Sequence, residues 1–135
     1  MWVNKLAILT LAAGLSGPAF AASTDKGHAL YMANCGGCHQ ADGGGVPMMQ
    51  PALIDSERAN GEKGAVIDMI LHGSAIIPMD ESDYSNEMPS FSELSDDDIA
   101  EIATYVRTHF ENHGGAVSAD DVRARRAVRL PAVRN

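Results

Sequence analysis

Apolar positions recur at helical spacing in several stretches of the chain and at strand spacing in none. Gly27, Leu30 and Tyr31 fall at i, i+3 and i+4 of a segment that Thr24 can cap. They predict a helix over about Asp25 to Asn34, with Asp25 at its positive end. A glycine inside a helix costs about 1 kcal/mol relative to alanine, so Gly27 points to a close helix crossing. From Glu62 to His72 the residues are apolar on nearly every side, as in a buried helix, and Gly73 ends it, with His72 near its negative end. Ser95 caps a third helix that runs to about Phe110, with Asp98 at the capping-box position. Its buried stripe is Ile99, Ile102, Ala103, Val106 and Phe110. Asn112 to Gly115 is a break, after which Ser118 caps a last short helix bearing arginines.

Two long stretches lack periodicity. Gln40 to Leu53 holds three successive glycines and two prolines, and Ser74 to Leu94 is rich in proline, serine and acids. Val46, Pro47, Met48 and Leu53 predict that the first loop packs against something, with Met48 and Met49 along that surface, whereas Met32 and Met69 read as core. Asp80, Glu81, Asp83 and Glu87 lack the spacing of a calcium loop and read as solvated. His28 reads as a surface residue, and His109 and His113 as cationic groups at a helix end.

The first 21 residues change the picture. Lys5 precedes the apolar run Leu6 to Leu15, Gly17-Pro18 breaks it, and Ala19-Phe20-Ala21 fits the small-x-small rule. Residues 1–21 therefore read as an export signal cleaved after Ala21. The run is shorter than the roughly 20 residues of a spanning helix, so no membrane span is expected in the mature form. Charge divides the remainder. Ala22 to Asp121 carries four basic residues against all 18 acids, a balance of −14, and then five arginines follow: Arg123, Arg125, Arg126, Arg129 and Arg134. An acidic body argues against nucleic acid or an anionic membrane as partner and suits a protein that meets a basic docking face. With no tryptophan after the signal and only five aromatic rings (Tyr31, Tyr84, Phe91, Tyr105, Phe110), the core is small for the chain.

The chemistry is concentrated in Cys35-Gly36-Gly37-Cys38-His39. C-x-x-C-H is the motif of covalent c-type haem attachment. Two thiols add to the two vinyl groups, one helical turn spans both, and the following imidazole is carried under the iron. A redox C-x-x-C should follow a strand, and zinc needs a second ligand pair. The chain has no strand pattern and no further cysteine.

With these residues in view, the chain resembles a class I cytochrome c. The likeness runs from Gly27 to Arg129, through the haem motif, Pro51-Ala52-Leu53, Ile70-Leu71-His72-Gly73, Met88-Pro89-Ser90-Phe91 and Leu94-Ser95-Asp96. It implies a small all-α cytochrome c fold in which N- and C-terminal helices cross around one haem c. It further implies that the Pro51 carbonyl accepts from His39 and that Met88 is the sixth iron ligand. Met88 is anchored by Pro89, Phe91 and Leu94, whereas Met79 is followed by Asp80, Glu81, Ser82 and Asp83, which prefer water. The cofactor-binding set is then Cys35, Cys38, His39, Met88 and Pro51, with His39 and Met88 on the metal.

The domain order expected is a signal at 1–21, a cytochrome domain at 22–112, and an arginine-rich helical extension at 113–135. The version here is most similar to haem domains serving bacterial periplasmic dehydrogenases. That likeness implies a periplasmic electron carrier and not an enzyme, with a dehydrogenase as donor and an oxidase or another cytochrome as acceptor. The competing reading is a haem enzyme or ligand sensor with an open sixth position on the iron.

Overall fold

The computed structural model describes residues 19–78, 83–130 and 133. Most of the signal segment, Met79, Asp80, Glu81 and Arg134 lie outside the described residues. Among the described residues six helices follow one another: α1 (Ala19–Asn34), α2 (Gly36–His39), α3 (Glu57–Asn60), α4 (Lys63–His72), α5 (Asp96–Thr108) and α6 (Ala119–Arg126). A 3-10 turn, Gly73–Ile76, continues α4. No sheet forms among the described residues, and the one β-bridge joins Val46 to Gln50. The architecture is the all-α one expected. No described helix is long and apolar enough to cross a membrane.

The crossing of α1 with α5 organises the core. A Cβ placed on Gly27 would lie 2.9 Å from the Glu101 carbonyl oxygen and 3.0 Å from Tyr105 Cβ, so α5 passes directly over this glycine. Tyr31, fully buried, sets its ring 5.4 Å from that of Tyr105 and 5.1 Å from Phe110. Ile67 and Leu71 of α4 and Ile99 and Ile102 of α5 fill the interior. Val122 of α6 is buried as completely. Serine caps start α3, α5 and α6, with Ser56, Ser95 and Ser118 accepting from backbone N–H groups three residues on, and Ser118 with Asp121 completes a capping box.

Several local expectations are corrected. Thr24 does not cap α1, which continues back to Ala19 because the alanine-rich segment before it favours helix. Helix α5 stops at Thr108, two residues short of the expectation, where Phe110 and Glu111 adopt left-handed φ of 55° and 63°. Met32 is 41% exposed and Met48 is 73% exposed, so the first is not core and the second is mostly turned to solvent. Asn112, placed in a break, is in fact buried and fully engaged. Its Nδ2 donates to the Leu53 and Val106 carbonyls, and its Oδ1 accepts from Ser56 N–H and Asn60 Nδ2.

Arg107 is a second buried polar hub. Its guanidinium donates to the carbonyls of Gly61 (2.9 Å), Gly115 (3.1 Å) and Gly114, and burial lowers its pKa. Together Asn112 and Arg107 lock the end of α5 to α3 and to the chain that leads into α6.

Candidate functional site

Helix α1 delivers the two thiols. Cys35 N–H still donates to the Tyr31 carbonyl at 2.7 Å, and the single turn of α2 closes as Cys38 and His39 N–H reach the Cys35 carbonyl at 3.0 and 2.9 Å. Gln40 then turns into a left-handed conformation (φ 65°), and its carbonyl accepts the Tyr31 hydroxyl at 2.6 Å. Neither cysteine is in a disulfide. Cys35 is buried and Cys38 exposed. Burial first, and the neighbouring Cys38 second, push the Cys35 thiol up to about 11.

The glycine loop beyond His39 folds back over it. Gly45 N–H donates to the His39 carbonyl at 2.9 Å, and Leu53 N–H to the Gly43 carbonyl at 2.7 Å. The Pro51 carbonyl thereby comes 2.9 Å from His39 Nδ1. A carbonyl can only accept, so this contact places the proton on Nδ1 and leaves Nε2 with its lone pair. A nitrogen so prepared is a metal ligand whose ring orientation is fixed by its other nitrogen.

Helix α4 positions the second loop. Gly73, at φ 62°, ends the helix, and a Cβ there would stand 2.1 Å from the Met88 carbonyl oxygen, so only glycine lets the Met88 segment lie against the helix end. Ser74 N–H donates to the Met88 carbonyl at 3.0 Å, and Met88 N–H to Ser74 Oγ at 3.2 Å. Phe91 N–H donates to the Ile70 carbonyl at 2.9 Å, and Ser90 Oγ to that of Leu71 at 2.6 Å.

These segments surround one cavity of about 450 Å³. Cys35, Cys38, His39, Pro51 and Met88, the whole set drawn from the sequence, border it. Much of the remaining wall is apolar, from Leu53, Val66, Ile70, Phe91, Ile102 and Val106. Met69, expected in the core, also faces the cavity, whereas Met48 and Met49 do not border it. Gln50 and Arg58 were not foreseen. Gln50 lines the cavity with a buried Oε1 that has no hydrogen-bond partner, and Arg58 lines it too. An apolar space with an unsatisfied amide, a cation and two unpaired thiols fits a flat apolar macrocycle that carries carboxylates and is joined through sulfur.

The family model for cytochrome c matches residues 24–110, which run from within α1 through both loops to the end of α5. The chain belongs to the cytochrome c family. This cytochrome is 37% identical over 113 residues to the fructose dehydrogenase cytochrome subunit of Gluconobacter japonicus, covering 77% of this chain and 22% of that one. It is 34% identical over 95 residues to the cytochrome c subunit of the quinone alcohol dehydrogenase of Gluconacetobacter polyoxogenes, covering 68% of this chain and 20% of the relative. It is also 34% identical over 90 residues to cytochrome c6 of Cyanidium caldarium, covering 64% of this chain and 72% of that protein. The cytochrome thus spans about a fifth of the dehydrogenase subunits it matches and most of cytochrome c6. As a family member it carries covalently bound haem c with its iron and serves electron transfer.

Proposed function

We propose that this cytochrome is a periplasmic one-electron carrier that accepts electrons from a dehydrogenase and passes them to an oxidase or a second cytochrome. In this reading residues 1–21 are the export signal, 22–112 form the haem domain and 113–135 an extension. Cys35 and Cys38 form the thioethers. His39 is the proximal ligand through Nε2, with its ring held by Pro51, and Met88 is the sixth ligand. The observation that carries the reading is the meeting of His39 and Met88 on one apolar cavity that the two thiols also border.

When bound, haem c supplies a ferrous/ferric couple, whose potential a thioether ligand raises. The residues then have defined tasks. The hydrogen bond from His39 to Pro51 holds the ring in one tautomer through both redox states. Leu53, Ile70, Phe91 and Val106 exclude water from the cavity, and Ser74 with Gly73 fixes where Met88 stands. Gln50 and Arg58, at the polar part of the wall, would hold the carboxylates of the bound group. The resemblance to dehydrogenase cytochrome subunits supports the donor, and the acidic body from Ala22 to Asp121 suits a basic partner face.

Replacing Met88 by alanine tests the assignment. The expected outcome is loss of the sulfur–iron charge-transfer band, a lower potential and iron open to small ligands, while Met79→Ala leaves all three as they were. A Met88→Ala protein that kept the band would remove Met88 from the metal. A parent protein lacking the band would favour an enzyme or sensor with an open iron.

A further inference from the structure

The extension beyond the family-matching segment is anchored to the rest of the molecule at many points. Val117 and Thr104 exchange two hydrogen bonds, Thr104 Oγ1 to the Val117 carbonyl (3.1 Å) and Val117 N–H back to Oγ1 (2.9 Å). On α6, Val122 is fully buried, Lys63 pairs with Asp121 at 2.6 Å, and Arg125 grips the buried Asp68 of α4 through Nε (2.8 Å) and a second nitrogen. Fixed in this way, α6 presents Arg126 to the chain that runs from the Met88 loop into α5. The guanidinium there donates to the Ser92 carbonyl at 2.7 Å, the Leu94 carbonyl at 2.5 Å and Asp96 Oδ1 at 2.6 Å. One rigid fork thus fixes three alternate residues immediately downstream of Phe91, on a stretch whose upstream side is already tied to Ile70, Leu71 and Ser74.

We propose that Arg126 is a positioning residue for the sixth ligand, and that the extension is a brace holding the Met88 loop closed against the haem. The inference rests on Met88 being that ligand. Any external ligand must wait for the loop to lift Met88 away, and lifting residues 88–94 breaks both the bonds to α4 and its 3-10 extension and the Arg126 bonds to Ser92 and Leu94. The two carbonyls lose a charged donor if Arg126 is removed, so the open form becomes more populated without any change in what surrounds the iron. Lysine does not replace it, because a point ammonium cannot span three acceptors.

The test uses the haem-loaded protein and imidazole as external ligand, with displacement followed by loss of the sulfur–iron band. Arg126→Gln and Arg126→Lys are each expected to bind imidazole about tenfold faster than the parent, equivalent to about 1.4 kcal/mol in loop opening. Amide exchange at Phe91 and Leu94, whose N–H groups are bonded to the Ile70 and Phe91 carbonyls, should accelerate by a similar factor. Arg123→Gln is the control on the same helix. Arg123 pairs with Asp120 and Asp96 without touching the loop carbonyls, and its loss should leave both rates as in the parent. Arg126 variants with parental imidazole rates and parental exchange at Phe91 would overturn the brace. A Met88→Ala protein that retains the band would instead overturn the ligand assignment and the brace with it.

Discussion

Gly27→Ala sets two known effects against each other at one atom. Inside a helix, alanine is favoured over glycine by about 1 kcal/mol, and on α1 taken alone the substitution stabilises. In the folded protein the added methyl would stand 2.9 Å from the Glu101 carbonyl oxygen and 3.0 Å from Tyr105 Cβ. Ordinary contact begins near 3.4 Å. Both obstacles belong to the backbone or its first side-chain atom, so no rotamer change relieves them. The helices must move apart by about half an ångström, loosening Tyr31 against Tyr105 and Phe110. Overpacking of this kind costs typically 1–3 kcal/mol, and the rigidity of the obstacle puts this case in the upper part of that range. The net expectation is a loss of about 1–2 kcal/mol, read as a lower guanidinium midpoint of the haem-loaded protein at unchanged m. Gly64→Ala supplies the comparison. A Cβ there meets only the Arg125 side chain, at 3.4 Å or beyond, so that variant should be as stable as the parent or up to about 1 kcal/mol better. A Gly27→Ala protein as stable as the parent would refute the close crossing as the reason for this glycine.

Replacing Cys35 and Cys38 together by alanine should abolish covalent haem and leave a largely unfolded chain. If even half of the 450 Å³ cavity behaved as closed apolar space, at ~24 cal/mol per Å³ its cost would be on the order of 5 kcal/mol, comparable with the whole stability of a small domain. Native far-UV helicity without haem would contradict this. Arg107→Met should cost about 3 kcal/mol or more in denaturant unfolding, because it strands the carbonyls of Gly61, Gly114 and Gly115; a cost below about 1 kcal/mol would show that water replaces the guanidinium. Lys63, then the backbone and hydroxyl of Ser118, hold Asp121 at about 2 against an ordinary 3.8. The folded state therefore favours the ionised form, its contribution is complete above the unfolded value and fades as pH falls towards 2. The thermal midpoint difference between parent and Asp121→Asn should be constant above about pH 5 and close between pH 4 and 2; a difference that held constant to pH 2 would deny the coupling.

What the sequence makes legible here is chemistry carried by neighbours in the chain. The C-x-x-C-H turn, the serine caps at Ser95 and Ser118 and the glycine stop at Gly73 each need only a few consecutive residues. What it hides depends on partners far along the chain. The arginines of α6 look from the sequence like a basic tail, yet Arg123, Arg125 and Arg126 are all turned onto two acids of the body, Asp68 on α4 and Asp96 on α5, many positions away. Asp68 sits in an apolar run and gives no sign that it is buried, because its ion-pair partner lies on α6. Asn112 looks like a loop residue for the same reason: its bonds run to Leu53 and Ser56 on the far side of the sequence. Met32 and Met48 show the converse, since an apolar side chain on a helix or in a loop does not reveal which way it faces.

The crossing of α1 and α5 also sets an order of events in folding. The thiols and the His39–Pro51 contact need only residues close together in the chain, and they can form while the rest is still open. Joining Gly27 to Glu101 instead closes a loop that contains both irregular segments, the haem motif and α4. The entropy of that closure grows only slowly with length, by about 0.6 kcal/mol per doubling, but it must be met before the interface returns anything. Changes at the crossing should therefore act mainly on the folding rate. The clamp of α6 assembles on a surface that α4 and α5 have already made, and weakening it should act mainly on the unfolding rate.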